Sequence, residues 1–402
     1  MYERILVALD GTPWSDMAMN AAVSLAKSFN GVTMVGCHVY GAQMHRTRFE
    51  QMESGLPDRY QEEKELTRLR GAHEDLITDG MQIISDAYLA PLYALTEKEG
   101  IQFKGATPEG RNYVEILKVS KKEEIDLLIL GAQGHGNVPE ATLGSTAERI
   151  LTHSLHSDVL LMKTPWNISK QPILVGVDGS QSSYNALIRA ATIAAKTGSS
   201  VKAVAVYDPY LHSGVFTNIA GVLPPEKQEK FNFTAQEKLH DEIIDDGLEH
   251  FYRENLKQGI TLAKELGVEV EYDVLSGKVY PQLHHHATSI SAGLVVVGRW
   301  GIHQEPPTLI GSNAHNLARI CTTNLLVVSP PTQKISLPEK EVEPQMKWTD
   351  GALRILERIP SFARTMAKAA IEKKASEAGH EIVDENLVNK VAENMGMNKE
   401  SR

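Results

Sequence analysis

The sequence repeats itself once, and this duplication constrains the fold more than any other feature. The segment ILVALDGT at 5–12 returns as ILVGVDGS at 173–180, and LLILGAQGHG at 127–136 returns as LVVVGRWGIH at 294–303. Both pairs of segments share nearly the same offset. The chain therefore contains a duplicated domain of about 167 residues.

Each copy alternates apolar runs with amphipathic stretches. In the first copy, the run at 5–9 ends at Asp-Gly and leads into an alanine-rich segment at 15–28, which indicates a strand, a tight turn and a helix. Further apolar runs follow, and the last in each copy are 158–163 and 324–329. Continuous apolar strands that alternate with helices predict a parallel sheet covered on both faces. We expect an α/β fold with two tandem, doubly wound parallel-sheet domains.

The domain boundaries follow from the repeat and from a change in composition after it. A stretch rich in proline and charge lacks periodicity and is typical of a linker, and helical patterning resumes beyond it. The expected organisation is a first domain at 1–165, a second at 170–330, a linker at 331–346 and a small all-α domain at 347–396.

Charge and cysteine content exclude several classes of protein. The net charge of −10 argues against general nucleic-acid binding, which depends on clustered positive charge. The two cysteines, Cys37 and Cys321, are too few for a disulfide framework or a four-cysteine metal site. No signal peptide and no apolar run of roughly 20 residues is evident, so we expect a soluble, cytoplasmic protein without a membrane partner.

A glycine motif follows the fourth apolar run of each copy. The first is Gly131-Ala-Gln-Gly134, then nine residues, then Gly144-Ser145; the second is Gly298-Arg-Trp-Gly301, nine residues, then Gly311-Ser312. Glycine after a strand permits positive φ and close approach of the backbone to a ligand. The Gly-Ser pair opens a helix whose free N–H groups favour phosphate oxygens. Asp10 and Asp178, which end the first strands, are placed to accept hydrogen bonds from a ribose or an adenine amine.

This spacing resembles the nucleotide signature of the universal stress protein family, over about 1–164 and 171–329. The resemblance implies an adenine nucleotide alpha hydrolase-like fold that binds ATP, with or without Mg²⁺, and no tightly bound metal. It also implies pairing of the two repeats through their fifth strands, as an intramolecular pseudo-dimer. The site residues it implies are Asp10, Val39, Gly131, Gly134, Gly144, Ser145 and Thr146 in the first repeat, and Asp178, Val206, Gly298, Gly301, Gly311, Ser312 and Asn313 in the second.

Two alternatives stay open at these positions. Some relatives lack ATP binding, so the glycines could serve only as tight strand–helix turns, and the aspartates as turn or helix-cap residues. The second site also departs from the pattern, because Trp300 replaces a small or polar residue and Asn313 replaces the hydroxyl of Thr146. The first site is therefore the more complete.

The chain carries no recognisable catalytic motif. It lacks a Walker lysine, a GxSxG elbow and an HExxH pair. The histidines at 284–286 are consecutive and best placed on a helix surface, His153 and His156 have no third ligand, and His135 lies in the glycine loop. We expect a non-enzymatic, nucleotide-binding stress regulator. The alternatives are a slow ATPase or phosphotransfer enzyme, and a nucleotide-free interaction scaffold.

The remaining segments suggest where partners bind. The charged segment at 62–84 predicts a solvated helix face, with an unknown protein partner as the alternative. The tail at 347–396 is similar to the C-terminal domain of the light-independent protochlorophyllide reductase B subunit, without the cysteines of its chemistry. It predicts a helical docking module with a break at Pro360, a helix end at Gly379 and a helix start at Asp384. A redox or tetrapyrrole partner and a homo-oligomer are further expectations.

Overall fold

The structure is a computed structural model. It describes residues 2–60, 62–136, 138, 141–209, 224, 233–302, 310–337, 346–357, 364, 367–368, 371–372, 374–376, 378–380 and 382–394, without the side chains of 42–46, 78, 233–246 and 392–394. The predicted break at Pro360 lies outside the described residues.

The first repeat folds as a five-stranded parallel sheet. Its elements are β1 (Arg4–Ala8), α1 (Pro13–Ser28), β2 (Thr33–Cys37), α2 (Ala42–Met52), α3 (Glu63–Glu99), β3 (Gln102–Ala106), α4 (Asn112–Lys122), β4 (Leu127–Gly131), α5 (Ser145–His153) and β5 (Asp158–Met162). The strands lie in the order β3-β2-β1-β4-β5. The order reverses direction between β1 and β4, which is where doubly wound sheets open a crevice for ligands.

The second repeat builds the same arrangement. Its elements are β6 (Ile173–Gly176), α6 (Gln181–Thr197), β7 (Val201–Tyr207), α7 (Phe233–Glu265), β8 (Val270–Ser276), α8 (Val279–Ser289), β9 (Leu294–Gly298), α9 (Ser312–Ile320) and β10 (Asn324–Val328). The strands lie in the order β10-β9-β6-β7-β8, so the predicted doubly wound α/β fold is confirmed for both repeats.

The two repeats share one ten-stranded sheet through β5 and β10, which pair antiparallel. The first side chain of each strand binds the backbone just after the other strand. Asp158 accepts a hydrogen bond from the N–H of Ser329 at 2.8 Å. Asn324 accepts hydrogen bonds from the N–H groups of Lys163 and Thr164 at 2.8 and 3.0 Å. These bonds satisfy backbone groups beyond the ladder, which would otherwise be costly to bury.

The sheet strands are buried because they are apolar on both faces. Ile5, Leu6 and Val7 of β1 have no exposed surface, and β5 and β10 are buried along their whole length. Thr12 caps α1 by accepting a hydrogen bond from the N–H of Ser15, and proline follows at the first helical position. The local signals and the burial thus agree on a strand, a turn and a helix.

Internal contacts divide the chain into two compact units. The first comprises Met1–Val204, Gly259–Tyr272 and Leu283–Ser336, and the second comprises Ala205–Gln258, Asp273–Gln282 and Leu337–Arg402. The first unit contains both glycine motifs. The domain boundaries that we predict follow the repeat instead of these units, and they stay a proposal.

The C-terminal segment has a small core of its own. Its elements are β11 (Lys347–Trp348), α10 (Asp350–Glu357), β12 (Ile382–Val383) and α11 (Glu385–Asn394). Asp384 accepts a hydrogen bond from the N–H of Leu387 at 2.8 Å, and Gly379 has a φ of 74°, so the predicted cap and helix end are confirmed. The parallel pairing of β11 with β12 is an addition that helical patterning did not predict.

In the part of the chain described above, no helix is both long and apolar enough to span a membrane.

Candidate functional site

A cavity of about 480 Å³ opens at the carboxyl ends of β1 and β4, where the strand order reverses. It is lined by residues from the ends of β1, β2 and β4, from the start of α5 and from α3. All seven residues predicted for the first repeat line it, namely Asp10, Val39, Gly131, Gly134, Gly144, Ser145 and Thr146. The fold therefore brings together residues that are up to 136 positions apart in the sequence.

The glycines of the motif allow close packing, but not through positive φ. Neither Gly131 nor Gly134 has a positive φ, so that part of the expectation was wrong; the left-handed residue is Gly11, with a φ of 71°. A Cβ atom at Gly131 would lie 2.5 Å from the Cβ of Trp14, and one at Gly134 would lie 2.6 Å from Oδ2 of Asp10. Packing against Trp14 therefore requires glycine at 131, whereas at 134 the close contact is with the end of the Asp10 side chain, which can move. The alternative of a purely structural turn thus accounts for Gly131 without a ligand.

The start of α5 supplies the donors of the cavity. Gly144 occupies the N-cap, and since glycine has no side chain, no side-chain oxygen caps the helix there. Its own N–H donates to the carbonyl of Ala132 at 2.7 Å, which fixes the glycine loop against the helix. Ser145 is exposed at the first helical position. Free N–H groups and the positive end of the helix dipole favour an anion at this end of the cavity.

Asp10 joins β1 to the glycine loop. Its Oδ1 accepts hydrogen bonds from the hydroxyl and the N–H of Thr12 at 2.6 and 3.1 Å, as in an Asx turn. The Nε2–H of His135 donates to the Asp10 carbonyl at 2.6 Å. His135 therefore ties the loop to the end of β1, which is the hydrogen-bonding role that loop histidines commonly have.

The cavity is also lined by residues at the end of β2 and on α3 that sequence reasoning missed, apart from Val39. His38 and Tyr40 follow β2, and Met81, Ile84 and Tyr88 project from α3. The Tyr88 ring packs edge-on to His38, at 5.0 Å between centroids. The same ring occupies the space that a Cβ at Gly11 would need, 2.4 Å away. The long insertion helix is thus a wall of the site.

The thiol of Cys37 also lines the cavity and is buried. Burial raises its pKa to about 12, with a smaller contribution from the negative charge of Glu115. The thiol is therefore protonated at neutral pH and is a poor nucleophile.

The predicted residues of the second repeat occupy positions equivalent to those of the first, except that Val206 belongs to the other compact unit. Gly311 precedes α9 as Gly144 precedes α5, and its N–H donates to the carbonyl of Arg299 at 2.9 Å. Asp178 accepts from the N–H groups of Ser180 and Ile302 at 3.0 and 2.9 Å. Gly298 ends β9, Ser312 and Asn313 begin α9, and a Cβ at Gly301 would lie 2.8 Å from Asp178 Oδ2. Val206 lies in β7 and belongs to the second compact unit.

A cation from each repeat caps the C-terminus of the helix that follows the glycine motif of the other repeat. Arg299, which is fully buried, donates from Nη1 to the carbonyl of Leu151 in the last turn of α5 at 2.6 Å. Lys163 donates to the carbonyl of Ala318 in α9 at 2.6 Å and to that of Cys321. Burial lowers the pKa of Lys163 to about 8 and that of Arg299 to about 10. Cations at helix C-termini complement the helix dipole.

The predicted histidine clusters form no evident metal centre. Within the described residues, no group of three or more histidine, cysteine, aspartate or glutamate side chains is placed to hold a metal ion. His284, His285 and His286 lie on α8, and His285 is exposed.

The geometry defines a class of protein: a duplicated, doubly wound α/β protein with a ligand cavity at the switch in strand order. The universal stress protein family matches residues 1–163 and 170–329. The chain belongs to this family. Residues 348–391 match the proto-chlorophyllide reductase 57 kD subunit.

Curated relatives agree with this family. A universal stress protein of Mycobacterium bovis is 25% identical over 189 residues, which are 44% of this chain and 55% of the relative. The match thus spans about half the length of that relative. A universal stress protein of Methanocaldococcus jannaschii is 25% identical over 165 residues, 41% of this chain and 84% of its own.

Solved structures show the same fold. A universal stress protein from Archaeoglobus fulgidus matches 82% of this chain and 98% of its own, at 17% identity and a TM-score of 0.54. A universal stress protein in complex with cAMP matches 40% of this chain and 98% of its own, at 24% identity and a TM-score of 0.26.

Proposed function

We propose that the chain is an adenine-nucleotide-binding regulator, with ATP as its ligand, that works in the cytoplasm without fast catalysis. The observation that carries this proposal is the single cavity lined by all seven predicted residues of the first repeat. ATP places its phosphates at the N-terminus of α5 and its base toward Val39. Backbone N–H groups at this helix N-terminus bind the negatively charged phosphates, because the chain as a whole is acidic and offers no general basic surface.

Magnesium accompanies the nucleotide in this proposal as a counter-ion of the phosphates. The Asp10 carboxylate and the hydroxyls of Ser145 and Thr146 are the oxygen donors that Mg²⁺ prefers, and all three line the cavity. Since no protein cluster in the described residues would hold a metal alone, the phosphates and water supply the other ligands.

The same residues argue for binding without fast turnover. Oδ1 of Asp10 is engaged with Thr12, His135 donates to the Asp10 carbonyl, and Cys37 is a neutral thiol. The described residues that line the cavity include no lysine or arginine to neutralise a phosphoryl group in transfer, which fast phosphoryl transfer needs. Nucleotide occupancy stabilises the folded state by linkage, and this change in stability is the proposed signal.

The test places a carboxylate where the phosphates bind. Ser145→Asp is favourable for the N-terminus of α5 itself but repels an anion there, so folding is kept while ATP affinity falls at least ~10-fold. Glycine variants are poorer tests, because a side chain at Gly131 or Gly298 would strike Trp14 or Ser182. Ser312→Asp makes the same change in the second repeat, and Asn30→Asp, at an exposed position outside the cavity, is the charge control.

Calorimetric titration with ATP measures the affinity, and mass analysis of ligand released on denaturation identifies what is carried from the cell. Full affinity and stoichiometry in the Ser145→Asp, Ser312→Asp double variant would refute the proposed sites. Purified protein that carries no nucleotide and shows no thermal shift in millimolar ATP would favour the interaction scaffold. ATP turnover that is lost in Ser145→Asp would favour the slow enzyme.

A further inference from the structure

The first turn of α6 is bound to the second glycine motif. The hydroxyl of Ser182 accepts a hydrogen bond from the N–H of Trp300, and the hydroxyl of Ser180 donates to the Trp300 carbonyl, both at 3.3 Å. Ser182 is buried, and a Cβ atom at Gly298 would lie only 2.6 Å from its carbonyl carbon. The start of α6 and the loop of the second site therefore hold each other in place.

The same turn also holds the segment at 330–336, which follows β10. The side-chain amide of Gln181 pairs with both backbone groups of Ile335: Oε1 accepts from the N–H at 2.6 Å, and Nε2 donates to the carbonyl at 3.3 Å. One turn later, Asn185 donates from Nδ2 to the carbonyl of Ser329 at 2.8 Å. Gln181 thus pairs with Ile335 much as a residue of a neighbouring strand would.

The first repeat lacks the residues for such a contact. In the alignment of the two repeats, Gln181 and Asn185 correspond to Pro13 and Met17, which carry no amide. The segment at 330–336 also leads out of the duplicated part of the chain, toward the tail at 347–396, and the first compact unit ends at Ser336. The two amides therefore occur in the copy that the tail follows.

The attached segment can open without unfolding the sheet. Residues 332–334 are exposed, whereas Ser329, just before the segment, is tied to β5 through Asp158. Segments with few buried contacts open at a small cost in free energy. A several-fold difference in ligand affinity between the attached and the open form is therefore enough to change how often the segment opens.

We propose that the first turn of α6 couples the second nucleotide site to the segment at 330–336, so that bound nucleotide tightens the attachment through which the tail is joined to the repeats. A nucleotide that binds the loop in this arrangement favours every contact that depends on it, and the bonds to Trp300 and to Ile335 share one helical turn. This inference rests on the proposed nucleotide function and names what the second site regulates.

The test follows hydrogen exchange in the full chain, in the Ser145→Asp background that confines ATP to the second site. Saturating ATP slows exchange of the Ile335 amide at least ~3-fold, because its N–H is released when the contact with Gln181 opens. In the Ser312→Asp background, where ATP occupies the first site, exchange of this amide changes by less than ~1.5-fold.

Two variants break the contact from opposite sides. Gln181→Pro introduces the residue of the first repeat at the first position of α6, where proline is favourable and Ser180 already has a φ of −74° and a ψ of 155°. Ile335→Pro removes the N–H donor. Each weakens ATP at the second site ~3-fold, because coupling acts equally in both directions, and leaves the first site unchanged. Ile335→Ala keeps both backbone groups and is the control, with ATP affinity changed by less than ~1.5-fold.

The outcomes distinguish the two proposals. Equal exchange of the Ile335 amide with and without ATP bound at the second site would overturn the coupling and leave both sites standing. Weaker ATP binding in Gln181→Pro but not in Ile335→Pro would also overturn it, because the effect would then arise within α6. ATP binding by the parent but not by the Ser145→Asp protein would remove the second site and this inference with it. Failure of the parent to bind ATP would instead remove the proposed function.

Discussion

The two glycine motifs begin with the same backbone hydrogen bond but differ in side chain at the position that makes it, which is Ala132 in the first repeat and Arg299 in the second. Both N–H groups donate to the residue that ends the neighbouring last strand, Met162 at 2.8 Å and Val328 at 2.9 Å. The side chain of Ala132 is a single methyl group, whereas the guanidinium of Arg299 donates a hydrogen bond to the carbonyl of Leu151 in α5. The loop of the second site therefore holds the helix of the first. The duplication has turned one of two equivalent positions into a link between the repeats.

A second pair of equivalent positions meets directly. Glu148 and His315 occupy the same place in α5 and α9, 167 positions apart, and lie 3.1 Å from each other. In a dimer of identical domains, the residue on such an axis faces its own copy. Two copies of the first repeat would bring glutamate against glutamate, which is unfavourable. The difference between the repeats thus favours pairing within one chain over pairing of like domains.

The largest effect is expected from the junction of β5 and β10. Asp158 is buried and binds the Tyr2 hydroxyl at 2.7 Å, the Arg189 guanidinium at 3.2 Å and the backbone of Ser329. Asp158→Ala leaves these groups without their acceptor and lowers the free energy of unfolding by about 3–5 kcal/mol. Asn324→Ala, the corresponding change in β10, lowers it by about 2 kcal/mol. Urea unfolding of both variants measures the difference, and equal losses would contradict it.

The hydrogen bonds by which Arg299 and Lys163 cap a helix of the other repeat should contribute less to the free energy of unfolding than Asp158 does. Arg299→Met removes the charged donor from Leu151 and lowers the free energy of unfolding by about 2 kcal/mol, after relief of the cost of burying the charge. Lys163→Met removes the corresponding cap of α9 and costs about 1 kcal/mol, since Lys163 is only half-buried. Thermal and urea unfolding check both values. An Arg299→Met protein as stable as the parent would show that the cost of burying the Arg299 charge cancels the stability gained from its hydrogen bond to Leu151.

Two substitutions should bring the ATP affinity of the second site closer to the higher affinity that we expect of the first site. Trp300→Gln with Asn313→Thr gives the second loop the residues found at Gln133 and Thr146. ATP affinity of the second site should rise several-fold, about 1 kcal/mol, because a hydroxyl donor is restored near the helix N-terminus. Titration in a Ser145→Asp background reads this site alone. Unchanged affinity would mean that these two positions do not cause the inequality.

The smallest effect is expected at Glu148 and His315. Both side chains are partly exposed, at 40% and 30%, so solvent screens the pair. Glu148→Gln should lower the free energy of unfolding by less than ~1 kcal/mol, and the loss should shrink further at high salt. A double-mutant cycle with His315→Gln isolates the pair. A coupling well above this limit would make the contact a main determinant of the junction.

Much of the first site could be predicted because its signals are local. Gly131, Gly144 and Ser145 are recognised from spacing along a strand, a loop and a helix start, and the structure lines one cavity with them. The wall from α3 was not predictable in this way. Met81 lies within the charged segment 62–84, whose pattern indicates only a solvated helix, and Tyr88 follows it on the same helix. Which face of that helix reaches the cavity depends on how it packs, and periodicity alone does not decide this.

The sequence by itself determined the duplication, the strand and helix order, and the strand–loop–helix placement of each glycine motif. All of these depend on residues close together in the chain or on comparison of one copy with the other. The tertiary structure decided what those signals leave open: the partner of Arg299, the wall that α3 forms beside His38, and the antiparallel register of β5 with β10. Each joins residues from distant parts of the chain or different elements, and packing brings them together. Local propensity says nothing about such contacts, because their geometry exists only once the sheet has formed.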